Sequence, residues 1–192
     1  MAEQNELLEP DPAGAAGHPT GVLPIQRLRA LVEQSREIRA VEHIQDEQFQ
    51  PASLDLRLGR RAWRVRASFL PGQRARVRER IESYAMHAFE LGASGAVLEK
   101  GCVYIVELME SLDLRRRTSA LANPKSSIGR IDVFVRLITD HGAEFDRVRA
   151  NYQGPLYAEI APRTFSILIR PGDRLNQIRV KRGTPCGTRT GM

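Results

Sequence analysis

Two short blocks of this sequence carry side chains that suit chemistry on a phosphorylated substrate. The first, residues 123–130, places Ser126 and Ser127 between Lys125 and Arg130. Short hydroxyl donors beside fixed positive charge are the groups that bind a polyphosphate. The second, residues 154–159, ends in Glu159, the one carboxylate of an otherwise apolar stretch. A carboxyl group in apolar surroundings can carry protons in catalysis, so Glu159 is a candidate acid-base residue.

Four sequence blocks together resemble a known enzyme family. They are residues 51–59 (PASLDLRLG), residues 126–130 (SSIGR), the strand-like run that ends at Glu159, and residues 169–178 (IRPGDRLNQI). In this order they resemble the deoxycytidine triphosphate (dCTP) deaminase family, of the superfamily that includes dUTP pyrophosphatase. The resemblance covers roughly residues 21 to 180. Longer members carry two related domains, and this chain looks like the N-terminal half of such a member.

The resemblance implies roles for the residues of both blocks. Glu159 matches the family's catalytic glutamate, which shuttles protons while dCTP and water become dUTP and ammonia. Ser126 and Arg130 would hold the attacking water and compensate the charge of the glutamate. Lys125, Ser126, Ser127 and Arg130 would bind the substrate. Simpler readings stay open: Glu159 as a strand carboxylate paired to an arginine, and the serines as a helix N-cap or turn.

The resemblance also implies contacts to the sugar and the base. Asp146 matches an aspartate near the deoxyribose 3′-hydroxyl, with a solvated loop acid as the alternative. Tyr152 precedes the tight turn at Gly154. Thr139 ends the preceding strand, where main-chain groups would read the cytosine edge, although its side chain could equally lie at the surface. Lys125 stands where the family commonly has arginine, so it offers phosphate a point charge without bidentate geometry.

The metal expected here is magnesium, carried on the substrate triphosphate as in the family. Zinc deaminases instead use a His-x-Glu motif followed by Pro-Cys-x-x-Cys. The second residue after each histidine is never glutamate in this sequence, as His18, His43, His87 and His141 show. We therefore expect a deaminase without zinc.

Composition narrows the class of protein. The 192 residues suit one domain, and 42% hydrophobic with 27% charged residues is typical of a globular chain. The net charge of +6 permits a polyanionic ligand. We expect a small-molecule nucleotide as the partner, with no nucleic acid, since no aromatic stacking pattern is present, and no membrane. The expected location is cytoplasmic, and the resemblance implies a homotrimer with sites between subunits.

Periodicity predicts a mainly β domain. We expect a leader over residues 1–20, an amphipathic helix that starts near Pro24, a hairpin over 53–69 and an inserted helix over 74–91. Further strands are predicted at 96–98, 103–108, 131–138, 156–160 and 165–169. With the resemblance, this indicates a dUTPase-like β-sandwich or distorted barrel over 21–180 and an irregular tail over 181–192.

Other functions remain possible at this point. The family's C-terminal segment that folds over the triphosphate is missing from the sequence, so the chain could be a non-catalytic half that binds nucleotide or acts as a scaffold. A bifunctional enzyme that continues to dUMP is a further alternative. A dUTP pyrophosphatase is less well supported, because that reaction needs an aspartate base, and the strand ends in a glutamate.

Overall fold

A computed structural model describes residues 21–115 and 117–183. Within them lie the helices α1 (Ile25–Glu33), α2 (Val77–Tyr84) and α3 (Ser126–Arg130), together with a short 3-10 helix at Asp46–Gln48. The strands are, in chain order, β1 (Gly21–Val22), β2 (Ile38–Ala40), β3 (Phe49–Gln50), β4 (Ser53–Leu56), β5 (Leu58–Val65), β6 (Ala85–Glu90), β7 (Ala96–Leu98), β8 (Val103–Asp113), β9 (Thr118–Pro124), β10 (Val133–Thr139), β11 (Arg147–Val148), β12 (Gln153–Pro162), β13 (Ile167–Ile169) and β14 (Asn176–Arg182). The mainly β class predicted from the sequence is confirmed.

Two six-stranded antiparallel sheets form the body of the described residues. The first sheet has the order β11-β9-β14-β4-β3, with β1 joined to β14. The second has the order β10-β12-β8-β5-β6, with β2 joined to β8. Strands β7 and β13 form a separate small ribbon. Strand β12 therefore lies inside the second sheet, hydrogen-bonded on both sides.

The main core is mainly aliphatic and includes side chains from both sheets. Its fully buried members include Leu54, Leu56 and Ile178 of the first sheet and Val106, Leu137 and Ala158 of the second. Helix α1 adds Leu28 and Leu31, as its helical spacing predicts. Burial of this apolar surface is the main contribution to the stability of the fold.

A second apolar cluster covers the other face of the second sheet. It joins helix α2 and the segment before it to the strands, through Val65, Phe69, Val77, Ile81, Ile105, Ile138 and Tyr157. Directly paired residues on neighbouring strands point to the same face of a sheet. Glu159 is paired with Ile105, so Glu159 lies on the face that α2 and its preceding segment cover.

The hairpin predicted over 53–69 is wrong. Strand β4 pairs with β3 and β14 in the first sheet, whereas β5 pairs with β6 and β8 in the second. The chain passes from one sheet to the other between Leu56 and Leu58. Alternation of apolar residues identified both strands, but it cannot identify the partner of a strand.

Gly59 lies where β5 comes closest to β8. The pairing register of these strands shifts between Leu58 and Ala62. A Cβ atom at Gly59 would stand 2.6 Å from the main-chain oxygen of Glu107. A backbone oxygen in a sheet cannot move aside as a flexible side chain could, so this close approach requires glycine.

Gly59→Ala is therefore expected to destabilise the protein by about 1–3 kcal/mol, the usual cost of overpacking. Gly92→Ala is the matched control, because the nearest atom to its Cβ would be the Ser94 hydroxyl at 3.9 Å. Chemical denaturation of both variants measures the difference. A Gly59→Ala protein as stable as the control would contradict the close approach.

The inserted helix predicted over 74–91 is half right. Helix α2 ends at Tyr84, and residues 85–90 form the edge strand β6 instead of continuing the helix. Pairing with β5 joins Phe89 to Ala62 and His87 to Arg64. Long-range pairing of this kind overrides a helical apolar pattern, since propensity is a weak guide where tertiary contacts compete.

The five strands predicted after residue 92 overlap the observed strands β7, β8, β10, β12 and β13. Strands β9 and β14, which are neighbours near the centre of the first sheet, were not predicted. Strand β14 runs to Arg182, beyond the predicted domain end at residue 180. The predicted leader over 1–20 and the tail from 184 onward lie outside the described residues.

Candidate active site

Glu159 lies in the middle of the second sheet. Its strand neighbours are Arg136 on β10 and Ile105 on β8. The residue is only 1% exposed. A buried carboxylate needs a charged or hydrogen-bonding partner to offset the loss of hydration, and here the register itself supplies one.

That partner is Arg136. Its Nε donates to Oε1 of Glu159 at 3.1 Å, and its Nη2 donates to the same oxygen. Nη2 also donates to the Ser68 hydroxyl at 2.8 Å, which connects the pair to the segment before α2. The second carboxylate oxygen, Oε2, is buried and accepts no hydrogen bond from any described residue. The arginine partner that the sequence left open as an alternative for Glu159 is therefore present. Because Oε2 has no donor among the described residues, that oxygen is still available for catalysis.

The guanidinium of Arg136 also lies on aromatic rings. Its central carbon is 3.7 Å from the ring centre of Phe145 and 4.8 Å from that of Phe134. A cation over an aromatic face gains about 0.5–2 kcal/mol, and more when it is removed from water. The guanidinium of Arg136 is therefore positioned by the carboxylate of Glu159 and by the rings of Phe145 and Phe134.

Asp146 fixes the loop that carries Phe145. Its N–H donates to the Leu137 carbonyl at 2.9 Å, and its carboxylate accepts from the Leu137 N–H at 2.7 Å. The backbone of Asp146 has φ +61°, a left-handed conformation that aspartate and asparagine adopt more easily than most residues. Asp146 is therefore a half-buried structural contact of β10, and the solvated-acid alternative is wrong. A contact to a sugar stays a prediction.

Burial raises the pKa of Asp146 above its ordinary value, against the opposing effects of the Leu137 N–H and of Arg136. The folded protein therefore binds a proton that the unfolded chain releases at the same pH. Stability is lost as the pH rises from the ordinary pKa, about 4, through the raised one.

Asp146→Asn should remove this loss, because the amide oxygen still accepts from Leu137 and no charge is buried. We expect a higher Tm than that of the native protein at pH 7 and a gain that shrinks toward pH 4. Thermal melts across this range test it, with the exposed Glu144→Gln as the control. A loss at pH 7, or a gain that does not depend on pH, would contradict the burial argument.

The SSIGR block forms helix α3, which begins directly after Lys125. Ser126, Ser127 and Arg130 are exposed, and their side chains make no hydrogen bond or salt bridge with any described residue. Nothing in the described part of the chain joins them to Glu159. The serines therefore lie in the first turn of a short helix, and the N-cap position belongs to Lys125.

Lys125 has a buried partner. Its ammonium pairs with the carboxylate of Asp55, which is 1% exposed. The other Asp55 oxygen accepts no hydrogen bond within the described residues. A phosphate at this position would share the lysine charge with Asp55, so a contact from Lys125 to phosphate stays a prediction.

Tyr152 has a structural task that the sequence did not reveal. It is fully buried, and its hydroxyl donates to the Pro155 carbonyl at 2.6 Å and accepts from the Asp140 N–H at 3.1 Å. A Cβ atom at Gly154, where φ is +152°, would lie 2.7 Å from this hydroxyl. The tyrosine thus anchors the turn into β12, and any contact between Tyr152 and a substrate stays a prediction.

Thr139 ends β10 beside an open cleft of about 350 Å³. The residue is 2% exposed, so the alternative of a surface side chain is wrong. The next residue, Asp140, accepts from the Val77 N–H at 2.8 Å and so fixes the start of α2. The cleft is lined by Gln73, Thr139, His141, Gly142, Ala143, Glu144, Arg147 and Arg149.

Sequence reasoning missed four residues around Glu159: Ser68, Phe134, Arg136 and Phe145. The available signal was the position of Arg136 between Phe134 and Ile138, where a charge replaces an apolar residue on one face of a strand. No group of three or more His, Cys, Asp or Glu side chains that could hold a metal occurs in residues 21–115 and 117–183. No helix in that part of the chain is both long and apolar enough to span a bilayer.

Residues 19–184 match the family model described as the 2′-deoxycytidine 5′-triphosphate deaminase N-terminal domain. This chain belongs to the dCTP deaminase family. Both the family and the N-terminal position within it agree with the resemblance seen in the sequence.

Solved structures include a dCTP deaminase from Agrobacterium tumefaciens that is 52% identical, with a TM-score of 0.82. The match covers 85% of this chain and 49% of that one, so this chain spans about half the length of that relative. A dUTPase of Staphylococcus bacteriophage 80alpha, solved with dUpNHpp, is 14% identical with a TM-score of 0.38, over 53% of this chain and 80% of that one. No match was found among curated proteins.

Proposed function

We propose that this chain converts dCTP and water to dUTP and ammonia without zinc, with Glu159 as the proton carrier. The observation that carries the proposal is the buried Glu159 carboxylate with one oxygen free of hydrogen bonds, in a chain of the dCTP deaminase family. Buried acceptors without a hydrogen-bond donor are rare in folded proteins and call for an explanation. In this proposal the free oxygen of Glu159 binds the attacking water and the edge of the cytosine base.

The proposed chemistry needs one group that accepts and returns protons. Water adds to C4 of cytosine and gives its proton to Glu159. The carboxyl group passes this proton to ring N3. It then takes the second proton of the added water from the C4 hydroxyl and gives it to the departing amine, so the C4 carbonyl forms, the C4–N bond breaks and ammonia leaves. General acid-base catalysis of this type contributes about 10²- to 10⁴-fold.

Substrate would bring its own metal. Mg²⁺ prefers phosphate oxygens and water and is held by few protein groups in nucleotide enzymes. Lys125, Ser126, Ser127 and Arg130 would then meet the magnesium-bound triphosphate, and Asp146 and Thr139 would lie toward the nucleoside. Use of Mg²⁺ and independence from zinc are both parts of this proposal.

The site is proposed to be completed by a second copy of the chain. Ser126 and Arg130 are exposed, and no described contact connects them to Glu159, although the reaction needs them close to the attacking water. A site shared between subunits removes this difficulty. We therefore propose the homotrimer expected from the family, acting on a small-molecule nucleotide in the cytoplasm.

A second candidate function is a nucleotide-binding half without catalysis. The observation that favours it is the pairing of Arg136 with Glu159, which uses the carboxylate for an internal salt bridge. The chain's match to 49% of the Agrobacterium relative leaves room for another half to perform the chemistry.

Product analysis distinguishes these functions. Purified protein is incubated with dCTP and excess Mg²⁺, with and without a zinc-selective chelator, and nucleotides and ammonia are quantified. Equal amounts of dUTP and ammonia, unaffected by the chelator, are the expected result. Formation of dUMP with pyrophosphate would identify a bifunctional enzyme. Binding of dCTP without any product would overturn the proposed activity and leave the second candidate.

A further inference from the structure

The guanidinium of Arg136 has the shape and donors of the base that Glu159 is proposed to bind. It is planar, it lies on the Phe145 ring at 3.7 Å, and it directs N–H groups at one carboxylate oxygen. Cytosine protonated at N3 is also planar and presents two N–H donors side by side, from N3 and from the 4-amino group. Both groups stack on aromatic rings and bind carboxylates.

The surroundings of Arg136 are built for a flat cation. Its side chain is 24% exposed, while that of Glu159 is 2% exposed, so Arg136 extends from the buried carboxylate toward the surface. The Phe145 ring covers one side of the guanidinium, the Phe134 ring centre lies 4.8 Å from its central carbon, and the Ser68 hydroxyl accepts from Nη2, which also donates to Glu159. The second oxygen of Glu159, Oε2, has no donor among the described residues. A buried acceptor without a donor lowers stability, so stability alone does not account for this arrangement of Arg136 and Glu159.

We propose that Arg136 occupies the cytosine position of this site and that the base binds only after the guanidinium leaves Glu159. This inference rests on the proposed function for the identity of the ligand. Arg136 is thus an internal competitor of the substrate base. Its long, flexible side chain can turn outward to solvent, whereas Glu159 is fixed on a central strand.

The competition has a quantitative consequence. When only a fraction of the molecules is competent to bind, the apparent affinity for ligand falls by that fraction. Removing the competitor should therefore tighten binding of dCTP. Binding of a ligand that lacks a base should not tighten, because the triphosphate does not compete with Arg136.

The test compares Arg136→Met with the native protein. Methionine keeps an apolar stem over Phe145 but has no N–H donor. We expect Mg·dCTP to bind about tenfold or more tightly to the variant by calorimetry, and Mg·tripolyphosphate to bind equally or slightly more weakly. Arg29→Met is the matched control, since Arg29 of helix α1 also pairs with a carboxylate, that of Asp46, and its guanidinium lies 4.5 Å from the ring centre of Phe49.

Folding of each variant is checked by its Tm without ligand. If loss of the partner of Glu159 prevents folding of Arg136→Met, Arg136→Gln gives the same comparison, because its amide can still donate to the carboxylate but carries no charge. Unchanged or weaker dCTP binding, or an equal gain for tripolyphosphate, would overturn the inference. These binding outcomes do not depend on turnover, so a protein that releases no ammonia would refute the proposed activity without deciding the role of Arg136.

Discussion

Glu159→Gln is expected to reduce ammonia release from dCTP by at least about 10²- to 10⁴-fold, the usual contribution of general acid-base catalysis. Glutamine keeps the size of the side chain and an oxygen that can accept from Arg136, but its amide cannot take a proton from water. Binding of dCTP should remain within a small factor of the native value. The loss should therefore appear in kcat and not in the dissociation constant.

A control for this prediction is Glu144→Gln. Glu144 lies in the same region of the chain but is exposed, and among the described residues it pairs with Arg147. We expect it to turn over dCTP at the native rate. A Glu159→Gln protein that releases ammonia as fast as this control would refute the proposed mechanism.

Glu110→Ala is expected to cause the largest loss of stability of any single substitution considered. Glu110 is buried on β8, and both of its oxygens are used: Oε1 accepts from Arg57 Nε at 2.8 Å and from Gln48 at 3.0 Å, and Oε2 accepts from the Arg57 N–H at 2.7 Å. Arg57 continues the network to the main-chain oxygens of Glu42 and His43. This network joins the second sheet to the segment between β2 and β3.

Removing one partner of a buried ion pair leaves the other charged and unpaired, at a cost of about 3–5 kcal/mol. The Glu110→Ala protein should accordingly unfold at much lower denaturant concentration than the native protein. Glu144→Ala serves for comparison, because an exposed pair contributes only about 0–1 kcal/mol. Equal midpoints for the two variants would show that the network is not important for stability.

Local signals in the sequence were sufficient for several elements. Helical spacing after Pro24 predicted α1, and the apolar run before Glu159 predicted the centre of β12. The order of the four sequence blocks, which follows the family pattern, led to the family itself. For α1 and β12, the signal lies within one continuous stretch of chain.

Long-range pairing decided the rest. Arg136 and Glu159 are 23 positions apart and meet only because β10 and β12 pair in one particular register. The spacing of apolar residues between 85 and 90 fits a helix as well as a strand. The segment forms strand β6 because it pairs with the edge of β5. The sequence left Asp146 open between a sugar contact and a solvated loop acid, because nothing in the neighbouring residues reveals that the loop folds back onto Leu137.

The proposed deamination is tested most directly by the fate of the water oxygen. The reaction is run with dCTP and Mg²⁺ in water enriched in oxygen-18, and the products are examined by mass spectrometry. The account predicts one labelled oxygen on the uracil ring of dUTP and one ammonia for each dUTP formed. Label on phosphate with the cytosine amine retained would contradict it, and so would the absence of labelled uracil nucleotide.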